Sequence, residues 1–329
     1  MANEISIKLN CSRPELQGFQ DFFKEKMYPT LVELEESRAK AMNQVIRNGV
    51  LAVIPFVLAV IAYFALGLTF HQENLSTLLL IVGIYGALAI YFIYKPLNSV
   101  KAETKGFIMD NICSFLKINH SLRAEGFPFT LFKNAGLLPG HDRESLSDHI
   151  YGTYKGIDFN LAECKLTKTT RSRVGGKTQR FTENVYHGIL ISLKYPNAFT
   201  GETLISNDSG IFKNFFKGIQ HGKKIELGHS GIDEKYLIHT TNEEEAREIL
   251  SPERIEKIMN LVDHIGQKSL EIAFVDDRLL LSIKVDHDHF AINSMESPAT
   301  CTVTIEYIIE ELCMIFDLID ILDLESNTA

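Results

Sequence analysis

Between residues 49 and 94 the alternation of apolar and polar positions gives way to two apolar runs. GVLAVIPFVLAVIAYFALGLTF covers Gly49 to Phe70, LSTLLLIVGIYGALAIYFIY covers Leu75 to Tyr94, and neither contains Asp, Glu, Lys or Arg. Each has roughly the twenty residues that a helix needs to cross a hydrocarbon core. The connector His71-Gln72-Glu73-Asn74 is so short that the two spans must be antiparallel neighbours, a membrane hairpin. The competing reading, a buried hairpin in a soluble protein, sits badly with two uncharged runs of this length in a chain otherwise rich in charge. A cleaved signal peptide fits no better, because the run starts too late, is too long and lacks a small-residue cleavage pattern.

Before the hairpin, Leu16, Phe19, Phe22, Phe23 and Met27 recur at helical spacing, with Ser12 as the expected N-cap and Pro14 in the first turn. Pro29 is expected to start a second helix, through Leu31 and Leu34. After the hairpin, Val100, Phe107, Ile108, Ile112, Phe115 and Leu116 repeat the helical spacing. The expected organisation is a cytoplasmic helical arm (1–47), a transmembrane hairpin (48–95), a helical stalk (96–126) and a cytoplasmic α+β domain (127–329). Inside the hairpin, Gly83 and Ala87 make a small-x-x-x-small step, which predicts close helix approach and admits a homo-oligomer through the spans.

From Phe127 the period becomes two. Phe127, Phe129 and Leu131 suggest a short strand, and Ile157 to Leu166 alternates as a half-buried strand should. Tyr154-Lys155-Gly156 predicts the turn before it. RSRVGGKTQR (Arg171 to Arg180) predicts the tip of a long hairpin whose second strand is VYHGILISLKY. Further strands are expected at 203–206, 236–239, 270–275 and 279–285. Capping-box spacing from Thr241 to Glu244, Ser251-Pro252 and Ser297-Pro298 predict three helix starts, the last opening a long helix to about Leu324. The fold class is therefore α+β: a two-helix transmembrane hairpin with a stalk, then a mainly antiparallel sheet with inserted helices and a long C-terminal helix. A pleckstrin-homology-like barrel is one form compatible with this order.

Charge completes the topology. Arg38, Lys40 and Arg47 precede the first span, Lys95, Lys101 and Lys105 follow the second, and the connector carries no Lys or Arg. The positive-inside tendency puts both termini in the cytoplasm. A net charge of −9 gives nucleic acid no purchase, and five scattered cysteines without a C-x-x-C pair suggest reduced thiols rather than a disulfide framework.

Two stretches carry candidate chemistry. Gly210 to Gln220 places Phe212, Phe215 and Phe216 on one helical face and Lys213 and Lys217 on the other, with Lys223 and Lys224 following. A basic amphipathic helix of this kind lies in an anionic membrane interface, or else packs its aromatic face on the sheet. Asp286-His287-Asp288-His289 supplies four possible ligands for a divalent metal, and His141-Asp142 and Asp148-His149 are further candidates for the same site. On a strand only alternate side chains share a face, so a polar strand end explains the run equally well. Gly175-Gly176-Lys177-Thr178 lacks the spacing of a phosphate loop and reads as a hairpin tip.

KYLIHTTNEEEAREILSP, with Glu245, Ala246, Arg247, Leu250 and Pro252, resembles the F-x-V-x-x-x-D-x-x-E-A-R-x-x-L-T-P stretch of a bacterial two-span inner-membrane family, domain of unknown function 3137. Gly156 to Phe159 and His187 to Leu190 are similar to its G-x-x-F and F-R-G-L-F pieces, without the Phe-Arg, as in a divergent member. The resemblance implies two N-terminal spans and an inner-membrane location, and names no activity. The expected function is a non-enzymatic, membrane-anchored cytoplasmic adaptor or sensor without a cofactor, binding a protein partner or anionic lipid heads. The alternative is a metal-dependent hydrolase acting at the membrane surface through residues 286–289.

Overall fold

The structure, a computed structural model, describes residues 7–9, 13–65, 72–174, 177–195, 197–207, 222–265, 270–285 and 297–321. It divides into two compact units, one of Met1–Asn111 with Ala291–Tyr307, the other of Ile112–Phe290 with Ile308–Ala329.

The first unit opens with a 3-10 turn (Pro14–Leu16), a short helix α1 (Phe19–Phe22) and a π-turn (Phe23–Met27) that runs into α2 (Tyr28–Ala65). Ser12 lies outside the described residues; Arg13 occupies the N-cap position without a capping side-chain hydrogen bond and pairs with Glu15 at 3.6 Å. The π-turn has a local cause. Pro29 has no N–H to return to the carbonyl four residues back, so the ladder widens just before it. Phe19, Phe23, Met27 and Leu31, spaced by four, are fully buried. The long helices α2 and α3 (Gln72–Phe115) contain Pro55 and Pro96 within them. The Tyr85 hydroxyl donates to the Ala52 carbonyl at 2.7 Å, and the Asn48 amide to the Phe92 carbonyl at 3.3 Å. The first of these bonds falls one residue from the Leu51 carbonyl that Pro55 cannot satisfy. Elsewhere the apolar side chains of α2 and α3 face outward, from Val50 to Leu58 and from Leu79 to Phe92.

The second unit is built on a nine-stranded sheet in the order β1-β2-β3-β4-β9-β8-β5-β7-β6, with every pairing antiparallel. The strands are β1 (Asn119–Arg123), β2 (Arg143–Tyr154), β3 (Ile157–Val174), β4 (Lys177–Lys194), β5 (Thr203–Asn207), β6 (Lys223–Ile225), β7 (Tyr236–Thr240), β8 (Leu270–Val275) and β9 (Arg278–Lys284). Helices α4 (Phe129–Asn134), α5 (Ser230–Asp233), α6 (Glu243–Ile249), α7 (Pro252–Ile265) and α8 (Thr302–Ile321) accompany it. The β8–β9 hairpin inserts between β4 and β5, so the chain order is not the sheet order. Strands β1 and β6 form the two edges, and no pairing closes them into a barrel among the described residues.

Several local expectations are revised. Phe127, Phe129 and Leu131 do not form a strand: Phe129–Asn134 is a helix, and its Phe129 and Phe132 are buried in the core. A three-residue stripe cannot distinguish the two periods. Strand β2 was not expected, because a bulge sets Asp148 and His149 against Ala162 and breaks its alternation. Asp148 takes a left-handed φ of 52° there. Helix α8 begins at Thr302 rather than at Ser297-Pro298, which forms a turn closed by the Cys301 N–H on the Pro298 carbonyl.

The hairpin β2–β3 closes where expected, on Lys155 and Gly156, both with positive φ (48° and 80°) and flanked by the pair Tyr154↔Ile157. This is the two-residue turn that matches strand twist, and Gly156 adopts it without strain. Strands β3 and β4 pair from Phe159↔Leu193 to Val174↔Lys177 with one register shift at Leu166/Thr167; the expected tip, Gly175-Gly176, lies outside the described residues.

Both sheet faces are covered at the centre. Ala162, Cys164, Leu166, Tyr186 and Leu190 pack with Phe127, Phe132, Leu137 and Leu138 on one face. On the other, Phe316 of α8 stacks on Tyr154 (4.4 Å between ring centroids) and meets Phe159 edge-on. Asp320 fastens the same helix to the hairpin turn, 2.8 Å from the Lys155 ammonium and 3.2 Å from the Tyr154 hydroxyl. The central part of β3 is therefore buried on both faces, where alternation predicted one.

Candidate functional site

A run of apolar residues on a doubly covered strand leaves no room for a charge, yet β8 reads Leu270-Glu271-Ile272-Ala273-Phe274-Val275. Glu271 is 2% exposed, and neither carboxylate oxygen has a hydrogen-bond partner among the described residues. Cross-strand register puts Ala162, Leu190, Ser282 and Glu271 in one row across β3, β4, β9 and β8, hence on the same face. Beside it, the Tyr186 hydroxyl and Ser282 Oγ are 2.8 Å apart, and Ser192 Oγ is buried without a partner among the described residues. Burial raises the Glu271 carboxyl to about 8. Burial likewise raises the Tyr186 phenol, against the opposing bond from Ser282 and with support from the nearby Cys164 and Glu271. Cys164 is pushed up to about 12 by burial, then by Glu144 and Glu163, which makes it an inert thiol. At neutral pH the patch holds a protonated acid, a neutral phenol and a thiol. It contains no activated nucleophile, and its chemistry is that of proton uptake and release by one buried carboxyl. The sequence signal was available: an acid inside an apolar run that leaves neither strand face polar.

On the opposite face the buried Glu163 pairs with the half-buried His187, whose Nε2 is 2.7 Å from Glu163 Oε1.

The residues of the Glu-Ala-Arg stretch tie loops together. Asn242, rather than Thr241, is the N-cap of α6, its Oδ1 accepting from the Glu245 N–H at 3.3 Å. Thr241 instead accepts from the Glu202 N–H. The Glu245 carboxylate accepts from the backbone N–H groups of Thr200 and Gly201, each at 2.7 Å. Burial raises its pKa, but those two bonds and the Thr200 hydroxyl outweigh it and leave it lowered. Ala246 is fully buried, and Gly201 has no room for a side chain, since a Cβ there would lie 2.6 Å from Asn242 Cβ. Arg247 bridges Glu243 at 2.8 Å and the Glu226 carbonyl at 3.0 Å. Leu250 is buried, and Pro252 opens α7, where Ser251 Oγ accepts from the Arg254 N–H at 3.4 Å. These side chains fix the β5, β6 and α6 connections. Glu245→Ala is expected to raise amide exchange at Thr200 and Gly201 by roughly tenfold or more, as loss of a charge-assisted bond worth about 1.5–3 kcal/mol requires. Unchanged protection of both amides would refute the staple.

The membrane-surface candidates Phe212, Lys213, Phe215, Phe216 and Lys217 lie outside the described residues. Lys223 and Lys224 are exposed on edge strand β6, where lysines keep an unpaired edge from recruiting another strand. Lys224 stands opposite His239, whose pKa is lowered by burial and then by that ammonium. Asp286, His287, Asp288 and His289 are likewise outside the described residues. The other proposed ligands are engaged separately. His141 contacts the Pro139 carbonyl, Asp142 accepts from the Thr169 N–H, Asp148 is 3.7 Å from His120, and His149 bonds Asn160. Among the described residues no three metal-ligating side chains come together. Cys113, Cys164, Cys301 and Cys313 are free thiols.

Two helices are long and apolar enough to cross a membrane, the windows lying within Pro14–Leu58 and Leu79–Phe115 and being 11% and 0% buried.

Residues 184–324, from the second half of β4 past the end of α8, match the family described as Protein of unknown function (DUF3137), which bears out the resemblance seen in the Glu-Ala-Arg stretch. No curated protein matches the chain. A solved structure, the mycobacterial trehalose monomycolate transport factor A, TtfA, is similar with 10% identity and a TM-score of 0.33 over 66% of this chain and 95% of that one. A likeness that slight carries no argument.

Proposed function

We propose that this chain, whose residues 184–324 carry the DUF3137 domain, is a non-enzymatic adaptor or sensor tethered to a bacterial inner membrane by α2 and α3. The observation that supports this reading best is the outward-facing apolar surface of those helices, with Leu58, Leu79, Leu80 and Ile90 each at least 60% exposed. Such a surface costs roughly 25 cal/mol per Å² in water. In hydrocarbon it costs nothing, and the helices satisfy their own backbone groups. Cations flank both outer ends and none lies in the connector, a pattern that supports a topology with both termini and the sheet domain on the cytoplasmic side. Tethering then raises the concentration of the domain near membrane partners or anionic lipid heads. The edge strand bearing Lys223 and Lys224 is a surface suited to the latter.

A membrane-impermeant maleimide tests the topology on intact cells. Cysteine at Glu73 should be labelled at once, and cysteine at Lys101 only after permeabilisation. The reverse pattern, or release of the protein by carbonate, rejects the arrangement. For the adaptor role, mild crosslinking before solubilisation should recover a stoichiometric protein partner; reproducible recovery of none counts against it.

A further inference from the structure

The β3–β4 hairpin outruns the sheet to which it belongs. Strand β2 follows β3 only as far as Arg143↔Thr167, and β9 meets β4 from Gly188 onward. Beyond the register shift at Leu166/Thr167, eight further cross-strand pairs run from Thr167↔Asn184 to Val174↔Lys177. At strand rise this two-stranded ribbon is roughly 25 Å long, against a screening length of about 8 Å at physiological salt, so its outer charges act apart from those of the sheet. It carries Lys168, Arg171, Arg173, Lys177 and Arg180 against one acid, Glu183, in a chain whose net charge is −9.

The register sorts these charges by face. One row reads Lys168↔Glu183, Thr170↔Phe181, Ser172↔Gln179 and Val174↔Lys177, so the single acid stands opposite a lysine. The other reads Thr169↔Thr182, Arg171↔Arg180 and Arg173↔Thr178, and holds three arginines and no acid. The Thr169 and Thr182 hydroxyls, 3.2 Å apart, show that partners in this row share a face. Like charges directly opposed destabilise a strand pair, so ribbon stability does not account for Arg171 facing Arg180. Both are exposed, with no ion-pair partner among the described residues. Asp142, which precedes β2, is engaged with the Thr169 N–H at 2.7 Å. Cross-strand pairing brings two such Cβ atoms within about 5 Å, close enough for both guanidiniums to fork onto one phosphate. Arginine is the cation suited to that contact, and the lysines of the ribbon fall in the other row.

We propose that this arginine row docks on the phosphate heads of anionic phospholipids in the cytoplasmic leaflet. The inference rests on the tethered reading above and gives it a surface. Charge complementarity selects the occupant: an anionic leaflet offers a plane of phosphates to an extended row, and the tether keeps the two within reach. Nucleic acid, another extended polyphosphate, would have to approach from solution against the net charge of −9. A cation near an anionic surface contributes roughly fivefold, so Arg171 and Arg180 together should shift the docked population by roughly 25-fold, less as salt is added.

The chain has no Trp, so one introduced tryptophan reports on one position. The full chain carries either Thr178→Trp, in the arginine row, or Phe181→Trp, in the other. Each is reconstituted in phosphatidylcholine vesicles with or without phosphatidylglycerol, at a fixed fraction of lipid bearing a nitroxide on its head group. Flotation in carbonate is measured on the same samples. Quenching at residue 178 should rise several-fold with phosphatidylglycerol, quenching at residue 181 should rise much less, and salt should reverse the rise. Arg171→Gln with Arg180→Gln removes a repulsion and so keeps the ribbon intact. It should return residue 178 to its phosphatidylcholine level without affecting flotation. Equal quenching in both lipids, a rise that survives the double substitution, or an equal rise at 178 and 181 overturns the docking row while leaving the tether. Arginine-dependent binding of a labelled oligonucleotide by the full chain in micelles, with no such rise in vesicles, overturns it in favour of a nucleic-acid surface. Loss of flotation in carbonate removes the tethered reading, and the inference with it.

Discussion

Replacing Glu271 with glutamine is expected to gain about 3 kcal/mol of stability on the parent protein between pH 5 and pH 8. Burial holds the carboxyl at about 8 in the folded chain, against an ordinary value of 4.5. The folded protein therefore keeps a proton that the unfolded chain gives up, and rising pH favours the unfolded chain. The stability associated with the protonated carboxyl is fully present below pH 4.5 and lost progressively up to pH 8, by about 1.4 kcal/mol per pH unit. Glutamine cannot ionise, so that slope disappears. An amide also needs bonding partners, but any cost of burying it is the same at both pH values and cancels in the comparison. Urea unfolding of the full chain in mild micelles, followed by circular dichroism at several pH values, measures the difference. Parallel pH profiles for the parent and the glutamine variant would show that Glu271 is not held protonated by its surroundings.

Whether a feature was legible in the sequence depended on its range. The apolar runs after Gly49 and Leu75 and the alternation beyond Ile157 are local patterns imposed by a uniform environment, and they translate directly into long helices and central strands. The Lys155-Gly156 turn is equally local, because positive φ at both positions leaves little choice of residue. Strand β2 was hidden by its own bulge at Asp148, a feature defined only by Ala162 on the neighbouring strand. The N-cap of α6 was misplaced by one residue for a similar reason. Thr241 and Asn242 both suit a cap, and Glu202 on a different segment engages Thr241. The order of the sheet, with β8 and β9 between β4 and β5, depends on packing that no window of sequence contains. The buried patch was harder still. Glu271 was legible as an acid within an apolar strand, but its neighbours Tyr186, Ser192 and Ser282 come from two other strands and meet only through register.

Glycine 188 brings these levels together and supports the second large expectation: Gly188→Ala should cost about 3 kcal/mol or more, well above an ordinary surface substitution. The residue belongs to the His187-Gly188-Ile189-Leu190 piece and sits in the centre of β4, opposite Cys164 on β3 and Lys284 on β9. A Cβ there would fall within contact distance of the Ile283 carbonyl and the Tyr186 hydroxyl, and 2.6 Å from Tyr186 Cζ. The carbonyl is sheet backbone and cannot retreat without disturbing the β4–β9 ladder. The ring can retreat only by giving up its bond to Ser282 in a buried setting, which adds about 1 kcal/mol or more. The absence of a side chain at 188 thus creates the slot in which the Tyr186 ring crosses the sheet face towards Ser282. A double-mutant cycle separates the two clashes. Tyr186→Leu alone should be destabilising by about 3 kcal/mol through its cavity and the stranded Ser282 hydroxyl. Combined with Gly188→Ala, the total should fall short of the sum, because the ring clash has gone. The double variant should still be less stable than Tyr186→Leu alone, because the Ile283 carbonyl remains. Strict additivity would mean that the alanine methyl never meets the tyrosine ring, and a Gly188→Ala protein within about 0.5 kcal/mol of the parent would mean that neither contact constrains the strand.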